Sequence, residues 1–226
     1  MVQTKNNQLK FFVFLTVMFC LTFFAASAHT INYALENKPA QHVAWFYLKL
    51  GFGHIIPNGL DHILFIIALC LLSTKIKTII WQATAFTIAH TITLALSMKN
   101  IIAAPPDLVE PIIALSICFV ALENLLLSGL KVWRVLLVFL FGLIHGMGFA
   151  SSLNEIGLPR NKFVTSILSF NAGVELGQIA IIVLIFSTLV YFFGKKPWYN
   201  KIIVYPLSLL IALIAFYWTL QRLSII

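Results

Sequence analysis

The chain has 226 residues, of which 61% are hydrophobic and only 10% are charged. Soluble domains carry about 25% charged residues, so the composition excludes a soluble domain and indicates one polytopic membrane domain. The net charge of +8 is spread along the chain in basic runs of at most two residues, which excludes nucleic acid as a partner. The lipid bilayer is therefore the first predicted partner.

The first 28 residues are typical of a secretory signal peptide. Lys5 and Lys10 precede an apolar run that ends in Ala26-Ser27-Ala28, and a charged start, an apolar stretch and an A-x-A site form the signal-peptide pattern. Retention of this run as a helix is the alternative. We expect cleavage after Ala28, which leaves residues 29–226 as the membrane domain.

Apolar runs of about 20 residues predict spanning helices. Residues 40–53 are aromatic and weakly amphipathic, and we expect them to lie at the outer interface. The fold class is therefore all-α, a bundle of about six transmembrane helices. The predicted spans lie near 57–74, 78–97, 111–129, 132–152, 164–193 and 202–221.

The positions of Lys and Arg predict how this bundle is oriented. With the mature N-terminus outside, the inner loops hold seven of these residues and the outer loops between spans hold three. Positive residues favour the cytoplasmic side, so both termini are expected in the periplasm of a bacterial inner membrane. On this orientation most polar groups of the spans lie in the outer half, which predicts one site facing the periplasm.

Ionisable residues inside lipid are rare and costly, and each one suggests a function. The clearest group is the segment 53–62, Gly-His-Ile-Ile-Pro-Asn-Gly-Leu-Asp-His. Its Pro-Asn-Gly sequence breaks the helix, so His54 can fold back toward His62, and Asp61 can orient an imidazole. Capping by Asn58 is the alternative. It explains neither histidine, so we interpret His54, Asp61 and His62 as metal-binding residues.

Two further spans carry one histidine each. His90 lies among threonines, and its alternative role is an interhelical hydrogen bond from a neutral imidazole. His145 is flanked by Gly142 and Gly146, a spacing that lets another helix approach closely, so incidental packing is its alternative. Because imidazoles bind divalent transition metals, both histidines are candidate ligands.

The fifth predicted span carries the most specific pattern. Asn171, Glu175 and Gln178 fall at i, i+4 and i+7 and share one face, whereas Gly173 and Gly177 lie on the roughly opposite face. A helix that only packs has no need of a carboxylate between two amides. The pattern therefore favours a metal-binding or catalytic role for Glu175, supported by the amides.

The third predicted span has a weaker polar stripe of Ser116 and Glu123. Glu123 is interpreted either as a proton-coupling or supporting group or as a structural partner of an amide or imidazole. The pattern Phe-x3-His occurs at 86–90 and at 141–145, and each copy is followed by a span with a Ser and then a Glu. Parallel repeats of this kind are common in transporters.

These motifs resemble the HupE/UreJ family of membrane proteins, whose genes accompany nickel hydrogenases and ureases. The resemblance implies an inner-membrane protein that takes up nickel or cobalt, with His54, Asp61 and His62 as the metal-handling motif. Well-known members have His-Pro-x-x-Gly-x-Asp-His, whereas here the first His is one residue further away, which indicates a second branch of the family. The resemblance covers nearly the whole mature chain and rests on residues 59–62, His54, His145-Gly146 and Asn171 to Gln178.

Two functions of different classes fit these residues. In a permease, the histidines capture Ni²⁺ or Zn²⁺ and pass it toward Glu175 and Glu123. In an intramembrane metal hydrolase, the same cluster holds Zn²⁺ with an open position for water, and Glu175 acts as general base. An accessory subunit without ion flux is a third interpretation.

The inner halves of the spans bear on the choice between these functions. A permease needs polar groups that continue to the inner face, whereas an enzyme needs a closed pocket. Residues 179–190 offer only Ser187 and Thr188, and this gap argues against transport. We nevertheless favour the permease and assign no catalytic residue. The sequence leaves open which metal is bound and whether the chain self-associates.

Intact-mass measurement of the purified protein is expected to give a chain that begins at His29, because signal peptidase cleaves after the A-x-A site. A mass that includes residues 1–28 would contradict cleavage.

Overall fold

The computed structural model describes residues 32–127 and 133–225, so the predicted signal peptide and its cleavage site lie outside the described residues. The described residues form helices and no strand. Short helical turns occur at Tyr33–Glu36, Arg160–Lys162 and Tyr191–Phe193, and π-helical turns at Phe186–Val190 and Asn200–Val204. The longer helices are α1 Ala40–Ile55, α2 Leu60–Leu71, α3 Ile76–Met98, α4 Pro106–Leu126, α5 Arg134–Ile156, α6 Phe163–Ile185 and α7 Tyr205–Arg222.

Five of the described helical units are long and apolar enough to cross a membrane, and α1 with α2 makes a sixth if this bent pair counts as one span. The fifth predicted span is α6 with its continuation to Phe193, and the sixth is α7 with the turn that starts at Asn200. The structure therefore confirms an all-α polytopic bundle. Which face is periplasmic stays a prediction.

The first crossing differs from the sequence prediction. α2 has 12 residues, about 18 Å of helix, which is too short for a bilayer core of about 30 Å. α1 and α2 meet at a bend of 68°. Residues 40–53 form most of α1, which packs against α6 as part of the bundle instead of lying apart at the interface. The other face of α1, with Trp45 and Phe46, is exposed.

α1 packs against α6 because glycines let the two backbones touch. A Cβ on Gly51 would lie 1.9 Å from Phe170 O, and one on Gly173 would lie 2.0 Å from a backbone oxygen of α1. Contacts progress from Gly51 with Phe170 to Ile55 with Gly177, so the two helices run parallel. The glycine face predicted on this span is confirmed, and its partner is the segment assigned to the interface.

α2 continues in the same direction after the break. Its first turn contacts the end of α7 through Asp61 and Arg222, and a later turn contacts the end of α4, where Asn124 Nδ2 donates to Ala68 O. Because α4 and α7 are antiparallel, α2 runs parallel to α4. α1 and α2 are therefore two parts of one crossing, with the break between them.

α3 and α5 form a second close pair. A Cβ on Gly142 would lie 2.4 Å from Phe86 O, and one on Gly146 would lie 2.3 Å from His90 O. This geometry confirms the close approach expected from the Gly142 and Gly146 spacing. It also sets the two helices parallel, so that His90 and His145 reach the same level of the bundle.

Gly51→Ala is expected to lower the free energy of unfolding by about 1–3 kcal/mol, because the added methyl forces α1 away from α6. Gly53→Ala is the matched control, since a Cβ at Gly53 meets nothing within 4 Å. The control should be neutral or slightly stabilising, as expected when alanine replaces glycine in a helix. Thermal unfolding in detergent, followed by tryptophan fluorescence, measures both; equal losses would contradict the α1–α6 packing.

Candidate metal centre

Four imidazoles from four helices converge inside the bundle: His54 of α1, His62 of α2, His90 of α3 and His145 of α5. The ligand nitrogens of His54, His62 and His90 all lie within 4.8 Å of one another. His145 joins the group through His62, with ring centroids 5.2 Å apart. All four histidines that the sequence proposed as ligands therefore meet at one place.

The break between α1 and α2 is what brings His54 to His62. Gly59 packs directly against the backbone at the end of α1, and a Cβ there would lie 2.2 Å from His54 O. Only a glycine allows this close approach. The imidazoles of His54 and His62 consequently lie edge to face, with centroids 4.7 Å apart, although eight positions separate them in the sequence.

Burial keeps the imidazoles away from bulk solvent. The exposed fraction is 0% for His90, 2% for His145 and 6% for His62, and His54 is half-buried. Phenyl rings surround them, with the Phe149 centroid 3.9 Å from that of His54. An apolar shell of this kind controls the access of water to a metal ion.

Hydrogen bonds on the outer side of two rings define their tautomers. Asn171 Nδ2 donates to Ile167 O at 2.9 Å, so Asn171 Oδ1 faces His90 Nδ1, 2.9 Å away. His145 Nδ1 lies 2.8 Å from Phe141 O. Both oxygens only accept, so each Nδ1 carries the proton and each Nε2 presents a lone pair.

The Nε2 atoms of all four histidines are buried and have no hydrogen-bond partner among the described residues. A buried polar atom without a partner costs free energy, and four such atoms at one place indicate a ligand. Neutral imidazoles held from behind by a carbonyl or an amide are typical metal ligands. Metal–nitrogen distances are about 2.0–2.1 Å, and the ligand nitrogens of His54, His62 and His90 lie close enough together to hold one ion.

A cavity of about 360 Å³ leads from one face of the bundle to His54, His62 and His145, which are among its lining residues. Asp61 lies at its mouth, where both carboxylate oxygens accept hydrogen bonds from Arg222 Nη2 at 2.8 and 3.1 Å. The Arg222 guanidinium also lies over the Trp218 ring, 5.7 Å from its centroid. The partner of Asp61 is therefore Arg222 at the far end of the chain, rather than the imidazole predicted from the motif.

The stripe on α6 faces α3. Glu175 accepts hydrogen bonds from the hydroxyls of Thr84, at 2.6 Å, and of Thr87. Gln178 Oε1 lies 3.3 Å from the Thr87 hydroxyl. Because Asn171 of the same stripe binds His90, the polar seam between α3 and α6 starts at the histidines and continues to Glu175.

The polar stripe of Ser116 and Glu123 on α4 is not part of the seam between α3 and α6. Ser116 donates to Ile113 O in its own helix, and Glu123 pairs with Arg134 at the end of the bundle opposite the cavity. Arg134 is one of the seven Lys and Arg residues assigned above to the inner loops, yet its exposed fraction is 0%. Sequence reasoning missed this residue because it follows a charged loop and begins α5, and no local signal shows that it turns inward.

A model of the HupE/UreJ protein family matches residues 30–222. No curated protein and no solved structure gives a significant match. The matched range includes all four histidines, both polar stripes and the mouth of the cavity.

Asn171→Leu is expected to weaken metal binding by about 10–100-fold, because it removes the acceptor that holds the His90 tautomer. Asn171→Asp keeps an acceptor facing His90 and should bind nearly as well as the parent. Calorimetric titration of the detergent-solubilised protein with Zn²⁺ and Ni²⁺ measures the affinities. Ser116→Ala serves as the control, and parental affinity in Asn171→Leu would contradict a ligand role of His90.

Proposed function

The chain belongs to the HupE/UreJ family, and on this premise we propose that it is an inner-membrane permease for a divalent transition metal, namely nickel, cobalt or zinc. The observation that carries the proposal is the convergence of four imidazole Nε2 atoms, buried and without partners among the described residues, beside a cavity open to one face. Imidazole binds each of these metals well.

Capture begins at the mouth of the cavity. Its described lining includes the carboxylates of Asp61 and Glu110 and the guanidinium of Arg222, so negative charge exceeds positive charge and attracts cations. Beyond the mouth the ligands are uncharged imidazoles. They replace the water of the ion without trapping it in a fully anionic site, which suits an ion that must leave again.

The seam between α3 and α6 offers the next ligands. Glu175 lies one helical turn beyond Asn171 and supplies the first carboxylate after the histidines. Deeper in α3, Gln82 is 1% exposed, and its Oε1 has no partner among the described residues. With Gln82 and Arg134 buried in the other half of the bundle, the apolar gap that argued against transport is smaller than the sequence indicated.

The hydrolase alternative needs a general base that faces the open position of the metal. Among the described residues that line the cavity the carboxylates are Asp61 and Glu110, and Glu175 is not one of them. Both oxygens of Glu175 instead accept hydroxyl hydrogen bonds from α3. This arrangement fits Glu175 as a residue on an ion path better than as a general base that activates water.

Uptake of radiolabelled Ni²⁺ into proteoliposomes, measured beside metal content by mass spectrometry, tests the permease. His62→Ala should lose both binding and uptake. Glu175→Gln should keep bound metal while uptake falls by about tenfold or more, because it changes a group beyond the binding site. Glu155→Gln makes the same change at an exposed position and should leave uptake intact. Bound metal without uptake in the unmodified protein would favour the hydrolase.

A further inference from the structure

A second buried polar cluster lies at the end of the bundle opposite the cavity. Arg134 begins α5 with an exposed fraction of 0%, and Glu123, in the last turn of α4, is 5% exposed. Arg134 Nε lies 3.2 Å from Glu123 Oε2. Glu123 is thirteen residues beyond Glu110 of the cavity mouth, which corresponds to about 20 Å of helix.

Asn124 joins this ion pair to two more helices. Its Oδ1 accepts from Arg134 Nη2 at 3.3 Å. Its Nδ2 donates to Ala68 O of α2 at 2.8 Å and lies 3.2 Å from Ser208 Oγ of α7. The cluster therefore ties together α2, α4, α5 and α7 at one end. Two of these helices, α2 and α5, also carry histidines of the metal centre.

The ion pair is buried but incompletely bonded. Arg134 Nε and Glu123 Oε2 are close enough for charge attraction but are not aligned as a hydrogen bond, and Arg134 Nη1 and Glu123 Oε1 have no hydrogen-bond partner among the described residues. A pair that only fastened helices together would be expected to have its hydrogen bonds made. Charges inside a membrane are costly and mark ion pathways. The donors and acceptors left without hydrogen bonds therefore indicate an ion pair that exchanges partners.

We propose that Glu123 and Arg134 form the gate that closes the metal path at this end, with Arg134 as the counter-charge that a cation arriving at Glu123 displaces. This inference rests on the proposed permease function. The step exchanges one cationic partner of the carboxylate for another and involves no covalent change. Because Arg134 is the first residue of α5, its release frees that end of α5 from α4.

The same helix couples this gate to the metal centre. His145 lies eleven residues after Arg134, about 16 Å along α5. α5 is continuous from Arg134 to Ile156, so a displacement of His145 onto a bound ion is transmitted to Arg134 through one rigid element. Arg134 is therefore a positioning residue for transport, acting through Glu123, and it does not bind the ion itself.

Cys70 provides a reporter of the gate. It lies two residues after Ala68 on α2, and its exposed fraction is 0%. Thiol reagents react with the thiolate, which requires water around the sulfur. In a chain with Cys20 and Cys118 replaced by serine, the rate of Cys70 alkylation by N-ethylmaleimide therefore measures how often this end of the bundle opens.

The decisive variant is Glu123→Gln with Arg134→Gln, which removes both charges together and leaves neither one unpaired. Cys70 should be alkylated about tenfold faster than in the parent, because the open state changes from a minor to a major population. Metal content at the histidines should not change. Lys77→Gln is the matched control, since Lys77 is an exposed cation at the same end, and its alkylation rate should equal that of the parent.

An unchanged alkylation rate in a folded double variant would overturn the gate. If the double variant does not fold, Arg134→Lys decides. Its ammonium lacks the planar fork by which Arg134 reaches Glu123 with one nitrogen and Asn124 with another, so faster alkylation supports the gate and the parental rate refutes it. Ni²⁺ uptake separates the two proposals: a parent that binds metal without moving it refutes the permease. A parent that transports while the double variant keeps Cys70 protected refutes only the gate.

Discussion

Lipid offers no hydrogen bonds, and this constraint organises the whole bundle, because every polar atom in a span must find its partner inside the protein. Asn171 satisfies His90, and two threonines of α3 satisfy Glu175. The polar atoms that stay unsatisfied among the described residues are therefore informative. They concentrate at the imidazole Nε2 atoms and at the Glu123–Arg134 pair, the two places where we propose that an ion binds.

Close helix packing makes this arrangement geometrically possible. The glycines of α5 bring it against α3, those of α1 and α6 bring these two helices together, and Gly59 packs the start of α2 against the end of α1 at the break. Side chains from four helices reach one another only because the backbones approach this closely. The glycines therefore position the histidines as effectively as the hydrogen bonds that orient the rings.

Each end of the bundle carries an ion pair, and the two pairs differ in how strongly they resist separation. At the cavity end, Asp61 and Arg222 form an ion pair that is partly exposed to solvent. At the opposite end, Glu123 and Arg134 form one that is almost wholly buried. Water screens the first pair but not the second, so the first opens at little cost and the second resists opening. This asymmetry fits a protein that is open to one face while it holds the other closed.

Composition and local pattern alone determine the membrane class, the all-α fold, five of the crossings, the family motifs and the four candidate histidine ligands, because hydrophobicity, charge and helical period are properties of short segments. Only the tertiary structure decides that residues 40–53 join α2 in a broken crossing, that Asp61 pairs with Arg222, and that Arg134 turns inward to Glu123. Each of these depends on which helices are neighbours and how each is rotated about its axis. Those quantities are set by packing between distant segments, and glycine contacts such as Gly51 with Phe170 leave no pattern that identifies the partner in advance.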